Sequence, residues 1–431
     1  MEDKRFVIAI EVSSSRIIGV AASLEEDNNA DVVCCEEEEI NGPVIYGVIK
    51  NVDEVATKIN AILRRIEKNQ KVAPRRIESV YVGINARSLH SVTVTVDKPI
   101  NENIPIDEAL MRQILHESCA GIDKDAYMIL DTRMRLCEID GKETLNPVGA
   151  LGSNISVSTT AVICNKRICN SIKMAFDRLG IGIKDFIPTQ LALSNLALTS
   201  DERRLGCMLV DFGSDTTAVS IYKNDRLMYL NTLPMGSRNI TRDLTSLNIL
   251  PENAELIKRT YGIMPLADAA KTEFAQDVSS TDVVNYISAR AGEIIENIIN
   301  QLKIADIKAE QLPGGIVAVG RGTKMKGFNE LLEKNSKLRV RKIGGSESYS
   351  DNIGSLAIVD YASNIAGKEG SCVVLPKMPE VEEEPVKQQE ETVKEKNKKG
   401  KEEKKGSFFS RLVTKINTGI DPIFGGDDDE E

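Results

Sequence analysis

Histidine is almost missing: the 431 residues hold two, His90 and His116. A Ser-His-Asp triad or a His-rich metal site has too little to work with, and both rings read as core or surface residues. The eight cysteines include no C-x-x-C pair, and Cys34 and Cys35 are adjacent. That scatter argues against a zinc site or a disulfide framework and fits reduced thiols in a cytosol. Positive charge is not in excess: 55 Lys and Arg stand against 65 Asp and Glu, a net charge of −10, which disfavours a nucleic-acid partner. No stretch reaches the roughly 18 apolar residues of a transmembrane helix. The opening MEDKRFVIAIEV is not expected to be a signal peptide, because an acid interrupts a very short apolar run. What the chain does have is length, enough for two or three domains and a sizeable core.

The rest is organised around residues 204–223, RLGCMLVDFGSDTTAVSIYK. Cys207 to Val210 is an apolar run of strand type, ended by Asp211. Gly213-Ser214-Asp215-Thr216-Thr217 follows, then a second strand from Ala218 to Tyr222. A strand, an acid, a turn of small polar residues and a strand suit a phosphate chain. Gly213 lets the backbone come close to a ligand. Turn amides and the hydroxyls of Ser214, Thr216 and Thr217 can donate to phosphate oxygens. Asp211 would face the accompanying metal through water. Alone, the segment reads equally well as an ordinary hairpin. But the pattern occurs twice. In FVIAIEVSSSRIIGVAAS, Glu11 stands where Asp211 stands, Ser13-Ser14-Ser15 where Gly213-Ser214-Asp215 stand, and Arg16 where Thr216 stands. The copies lie two hundred residues apart, far beyond a solenoid period, and suggest two similar lobes gripping a nucleotide.

With these paired hairpins the sequence resembles the actin, sugar kinase and heat-shock chaperone superfamily. Its remaining landmarks resemble the bacterial cell-division family FtsA, over roughly residues 5–365. The resemblance implies an α/β, actin-like two-lobed fold with a duplicated nucleotide-gripping core. It places the first lobe at 1–84 and 163–201, an inserted small α/β subdomain at 85–162, the second lobe at 202–231 and 309–375, and a helical subdomain at 232–308. ATP and Mg2+ are the implied cofactors. Glu11 and Asp211 would serve catalysis and hold the metal through water. Ser13, Ser14, Ser15, Arg16, Asp211, Gly213, Ser214, Thr216 and Thr217 would contact the nucleotide.

Along the chain, residues 51–68 read as an amphipathic helix, with Val55, Ile59, Ile62, Leu63 and Ile66 at helical spacing. Ser79 to Ile84 is a strand. Within 85–162, SLHSVTVTV and Tyr127 to Ile139 alternate as strands, and Ile106 to Cys119 is a helix with Asp107 and Glu108 in its first turn. This region has no phosphate signature and reads as a contact module or as structural padding. The family resemblance favours contacts with neighbouring molecules. Ser156 to Cys164 is a strand, and Lys166 to Leu179 a helix closed by Gly180. A helix starting near Pro188 follows. The resemblance offers Gln190, at that start, as the side chain that orients an attacking water; a plain N-terminal helix residue is the alternative.

In LPMGSRNITRDLTSLNI, Gly236 resembles the family's second glycine turn, with Asn239, Thr241 and Asp243 beyond it. Glu255 and Lys258 share a helix face and read as a solvated pair; the resemblance sends them to ribose and adenine. Residues 282–302 form a long helix. Gly320 and Gly322 follow a strand and would let adenosine pass closely. Residues 348–362 resemble the closing helix of the fold, with Gly354 allowing close packing. Arg290 matches the arginine that meets the C-terminal peptide of FtsZ in the family, with Asn300 beside it; a solvated helix arginine is the alternative.

From about Leu375 the composition changes. Residues 376–406 alternate Glu with Lys, have almost no large apolar side chain, and read as a disordered linker. The tail, 407–431, begins SFFSRLVTKINTGI. Phe408, Phe409, Leu412, Val413, Ile416 and Ile420 fall within an arc of about 140° on a helix, with Arg411 and Lys415 on the polar face and Ser407 as N-cap. Such a helix lies on membrane lipid, docks in a partner groove, or folds back on its own body. Lys394 to Lys405 suits anionic headgroups, and the acids at 427–431 oppose that attraction.

Two positions depart from the family pattern. Ser13 stands where the superfamily usually has Gly, and Arg321 where a second consecutive Gly is expected. Both bear on nucleotide affinity and on hydrolysis, which the resemblance leaves weak or absent. The expected function is that of an actin-like ATP-binding division protein. It would polymerise at the cytoplasmic face of the cell membrane, at the division site. There it would anchor the FtsZ ring and recruit later division proteins. The rivals are a small-molecule kinase of the superfamily, which needs a catalytic carboxylate beside a substrate pocket, a chaperone-type ATPase, which needs a β-rich peptide-binding domain, and a soluble pilus-assembly relative, which lacks a membrane-binding tail.

Overall fold

The computed structural model describes residues 4–25, 30–263, 279–343, 349, 351–366 and 371–375. The expected linker 376–406 and the tail 407–431, with Phe408, Phe409, Arg411, Leu412, Val413, Lys415 and Ile416, lie outside the described residues.

Two sheets carry the same plan. In the first lobe the order is Gly182–Pro188, Ser79–Ile84, Arg5–Val12, Arg16–Leu24, Ala30–Glu39. Arg5–Val12 pairs antiparallel with Arg16–Leu24 and parallel with Ser79–Ile84. In the second lobe, Cys207–Phe212 pairs antiparallel with Thr217–Lys223 and parallel with Ile316–Val319, and Arg226–Leu233 and Val340–Lys342 flank them. Registers correspond too: Glu11 opposes Ile18 as Asp211 opposes Ala218. The central strands, FVIAI and CMLV, read as unbroken apolar runs because both faces are covered.

Helices Thr189–Ala197 and Ile353–Ile365 pack together at the joint between the lobes. Strand alternation decides what faces them. Cys207 and Leu209 belong to the core shared with the first lobe, whereas Met208, Val210 and Phe212 face the helical side of the second. Asp211 has the parity of Leu209 and so points toward the first lobe. Helices Ser237–Thr245, Pro251–Tyr261, Ser280–Ile304 and Phe328–Ser336 make up that helical side, around Ile240, Leu244, Ile287, Ile294 and Phe328.

The inserted segment extends the second lobe's sheet. Lys142–Glu143, Tyr127–Ile139, Asn154–Asn165 and His90–Pro99 continue it to nine strands, joined through the single pair Asn231–His90. Helix Glu108–Ser118 covers a small core of Ile106, Met111, Ile114, Cys137, Ile139, Ile155 and Val157. Asp107 is its N-cap, accepting from the Leu110 amide, rather than a first-turn acid. The boundaries expected after 162 and 231 fall inside continuous strands, Asn154–Asn165 and Arg226–Leu233. Among the described residues no helix is long and apolar enough to cross a membrane.

Candidate functional site

The two hairpin turns match bond for bond. Ser13 N–H donates to the Arg16 carbonyl at 3.0 Å, and Gly213 N–H to the Thr216 carbonyl at 2.9 Å. Ser13, which replaces a glycine of the pattern, fits because its hydroxyl donates to the Arg16 carbonyl at 2.8 Å and accepts from the Arg16 amide at 3.3 Å. Its side chain is folded into its own turn.

An acid closes each central strand. Asp211 accepts a 3.0 Å hydrogen bond from Asn85 Nδ2, which reaches across from the first lobe. Burial, then the neighbouring Glu11 carboxylate, pushes the Asp211 carboxyl up to about 7, against the pull of Asn85 and Arg16. Glu11 accepts from Ser355 Oγ at 2.5 Å, and Gly354 leaves it room: a Cβ there would lie 3.0 Å from both carboxylate oxygens. Gly320 does the same for Asp211. Its φ is +88°, and a Cβ would meet Asp211 Oδ1 at 2.5 Å. The glycines expected to make room for adenosine therefore first make room for protein: Gly322 is packed just as closely on Phe212.

This donor set fits a magnesium-bound phosphate chain. Among the described residues the amides of Ser14, Ser15, Ser214 and Asp215 have no protein acceptor, so both turns retain donors for an anion. Glu11 and Asp211 repel one another unless a proton or a cation lies between them. Among the described residues no group of three or more His, Cys, Asp or Glu could hold a metal. Magnesium needs no such group, because it is commonly held by one or two carboxylates with water and phosphate oxygens. When bound it would neutralise charge on the phosphates, and Glu11 and Asp211 would hold it.

Arg238 ties the turns together. Its guanidinium donates to the Ser14 carbonyl at 3.1 Å and pairs with Asp215 at 3.0 Å. Asp215 is 2% exposed and also accepts from the Tyr46 amide at 3.4 Å. Helix Ser237–Thr245 begins on the second turn, with Ser237 and Arg238 amides on the carbonyls of Gly213 and Ser214 at 3.0 and 2.8 Å. A Cβ on Gly236 would overlap the Ser214 carbonyl, so glycine is required by this seat. The Thr217 hydroxyl is taken by the Met235 carbonyl at 2.7 Å, so among the described residues Thr216 and Ser214 are the hydroxyls of the turn without a protein partner.

Other expected site residues lie in different surroundings. Lys258 is buried, not solvated: its ammonium donates to Glu255 at 2.6 Å, Thr241 Oγ1 at 2.9 Å and the Ser237 carbonyl at 3.2 Å. Burial lowers its pKa despite Glu255. For Glu255, burial works upward but is outweighed by Lys258 and by hydrogen bonds from Lys258, Thr241 and Arg259, so its carboxyl is lowered. Gln190 is 1% exposed and spends its amide on the Leu209 carbonyl at 3.1 Å and Ser220 Oγ at 3.0 Å. Its Nε2 thereby braces the connecting helix on the second hairpin, while among the described residues its buried Oε1 has no protein partner. Arg16 reaches Glu37 and Asn352, both at 3.1 Å, and the Asp351 carbonyl. Arg321 joins Glu37 and Asp351 from the other lobe, and Lys324 pairs with Asp351. Arg290 is held by Asp243 and Glu293, away from the hairpins, and Asn300 is exposed on the same helix.

Sequence reasoning missed Asn85, Asp215 as a buried anion, and Arg238. Asn85 directly follows strand Ser79–Ile84, which is parallel to Arg5–Val12, a position that could have been noticed. Arg238 gave no signal, because its partners come from turns far apart in sequence.

The family profile described as Cell division protein FtsA matches residues 208–366. The chain is 28% identical over 360 residues to the Cell division protein FtsA of Porphyromonas gingivalis, covering 79% of this chain and 74% of that one. It is 26% identical over 308 residues to the Bacillus subtilis protein of the same name, covering 68% and 69%. Among solved structures, the PilM-PilN type IV pilus biogenesis complex matches with a TM-score of 0.57 at 14% identity, covering 82% of this chain and 96% of that one, a likeness of fold. With its duplicated sheets and paired turns the chain has an actin-like fold, and over most of its length it is similar to the FtsA cell-division proteins.

Proposed function

We propose that this protein binds ATP with magnesium between its lobes, polymerises at the cytoplasmic face of the cell membrane at the division site, and anchors the ring of FtsZ there. In this reading Arg290, with Asn300, meets the carboxylate of the FtsZ C-terminal peptide, and the tail helix at 407–431 contacts membrane lipid. The filament is a platform for later division proteins, and ATP hydrolysis is weak or absent. The observation that carries the nucleotide part is the pair of matched turns, each with an acid behind it and unused amides in front.

Calorimetry of the intact protein with ATP across magnesium concentrations tests it. Binding should require magnesium. Because Asp211 titrates near 7, magnesium competes with a proton there, and apparent metal affinity should fall about tenfold between about pH 8 and about pH 6. Asp211→Asn should weaken magnesium-dependent binding and flatten that pH dependence. No nucleotide heat at any magnesium concentration would remove the reading.

A further inference from the structure

Arg290 is already engaged. Its Nε and Nη2 grip the two oxygens of Asp243 at 2.5 and 3.2 Å, the parallel fork with which arginine takes a carboxylate. Nη1 donates to Glu293 one turn on. Both side chains of the Asp243 pair are 28% exposed, so an incoming group can reach them from solvent. Tyr286, one turn before Arg290 on helix Ser280–Ile304, is 40% exposed. Guanidinium and ring together suit a peptide that presents a carboxylate beside an apolar side chain. Asp243 also lies in the last turns of its own helix, where a negative charge is unfavourable to the helix dipole. Arg290 compensates it there, and a carboxylate from outside can take the same fork.

We propose that Asp243 is an internal stand-in for the partner's carboxylate. It holds Arg290 in the free protein and is displaced when the peptide docks. This rests on the reading that Arg290 receives an acidic peptide, and it adds that the protein competes with that peptide through its own side chain.

The probe is a synthetic FtsZ C-terminal peptide with a free carboxylate, titrated by fluorescence anisotropy into the full chain. Asp243→Asn keeps the shape, removes the competing charge, and should bind the peptide roughly tenfold tighter. Asp243→Glu restores the charge and should return close to the parent. Arg290→Glu should abolish binding in either background, and circular dichroism melts check that the variants fold. If Asp243→Asn binds no tighter while Arg290→Glu still weakens binding, the stand-in role is wrong and the partner site survives. If Arg290→Glu changes nothing, the partner site lies elsewhere and the stand-in role falls with it.

Discussion

Arg238 shows how much one side chain carries here. It neutralises Asp215, which is nearly inaccessible, and it reaches the first lobe through the Ser14 carbonyl. Removing it strands a buried carboxylate, and breaking such a pair costs about 3 kcal/mol or more. Arg238→Ala should therefore lower the thermal midpoint by several degrees. Asp215→Asn added to it should recover much of that loss, since the stranded charge is gone. Melts of both single variants and the double measure the coupling. Additive losses would show that the two residues act independently.

Among the elements, the edge strand Ala30–Glu39 and the loop after Ile316–Val319 meet in a clasp. Glu37 pairs with Arg16 of its own lobe at 3.1 Å and with Arg321 of the other at 3.3 Å, while Asp351 takes Arg321 and Lys324. Arg321 and Lys324 are 42% and 39% exposed, so water and salt screen them, and each such pair contributes about 1 kcal/mol or less. The clasp is thus a weak closure beside the turns. Glu37→Gln should speed release of a fluorescent ATP analogue roughly threefold to tenfold at low salt, and the difference should shrink as salt rises. Stopped-flow release rates that are equal at low salt would show that the clasp does not hold the lobes.

For the whole molecule, the proposed membrane role would make a single copy of the tail at 407–431 a weak anchor. Each large apolar side chain contributes about 1.5–3 kcal/mol at best, and ordering the helix offsets part of that. Affinity should come from many tails linked in one filament. Leu412→Glu, a charge in the middle of the apolar arc, should release the full chain from liposomes in sedimentation. Lys415→Glu, on the polar face, should weaken binding only on anionic lipid at low salt. Sedimentation of Leu412→Glu equal to the parent would mean that the tail is not the anchor.

Local signals determined the elements by themselves. Apolar runs on both sides of an acid and small residues read as hairpins, so both turns were legible, as were strand Tyr127–Ile139 and helix Val52–Lys68, although Asn51 proves to be the cap of that helix rather than its first residue. The duplication itself was written in residues 11–16 and 211–216. What tertiary structure alone decided is who meets whom. Lys258 looks solvated because helical periodicity cannot see Ser237 and Thr241 closing over it. Gln190 looks available because nothing near it in sequence reveals that Leu209 and Ser220 claim its amide. The Asn85–Asp211, Arg238–Ser14 and Arg321–Glu37 contacts each join groups more than a hundred residues apart. Periodicity and turn chemistry are short-range and survive in the chain as written; charge pairing across a cleft exists only after two lobes have been brought face to face.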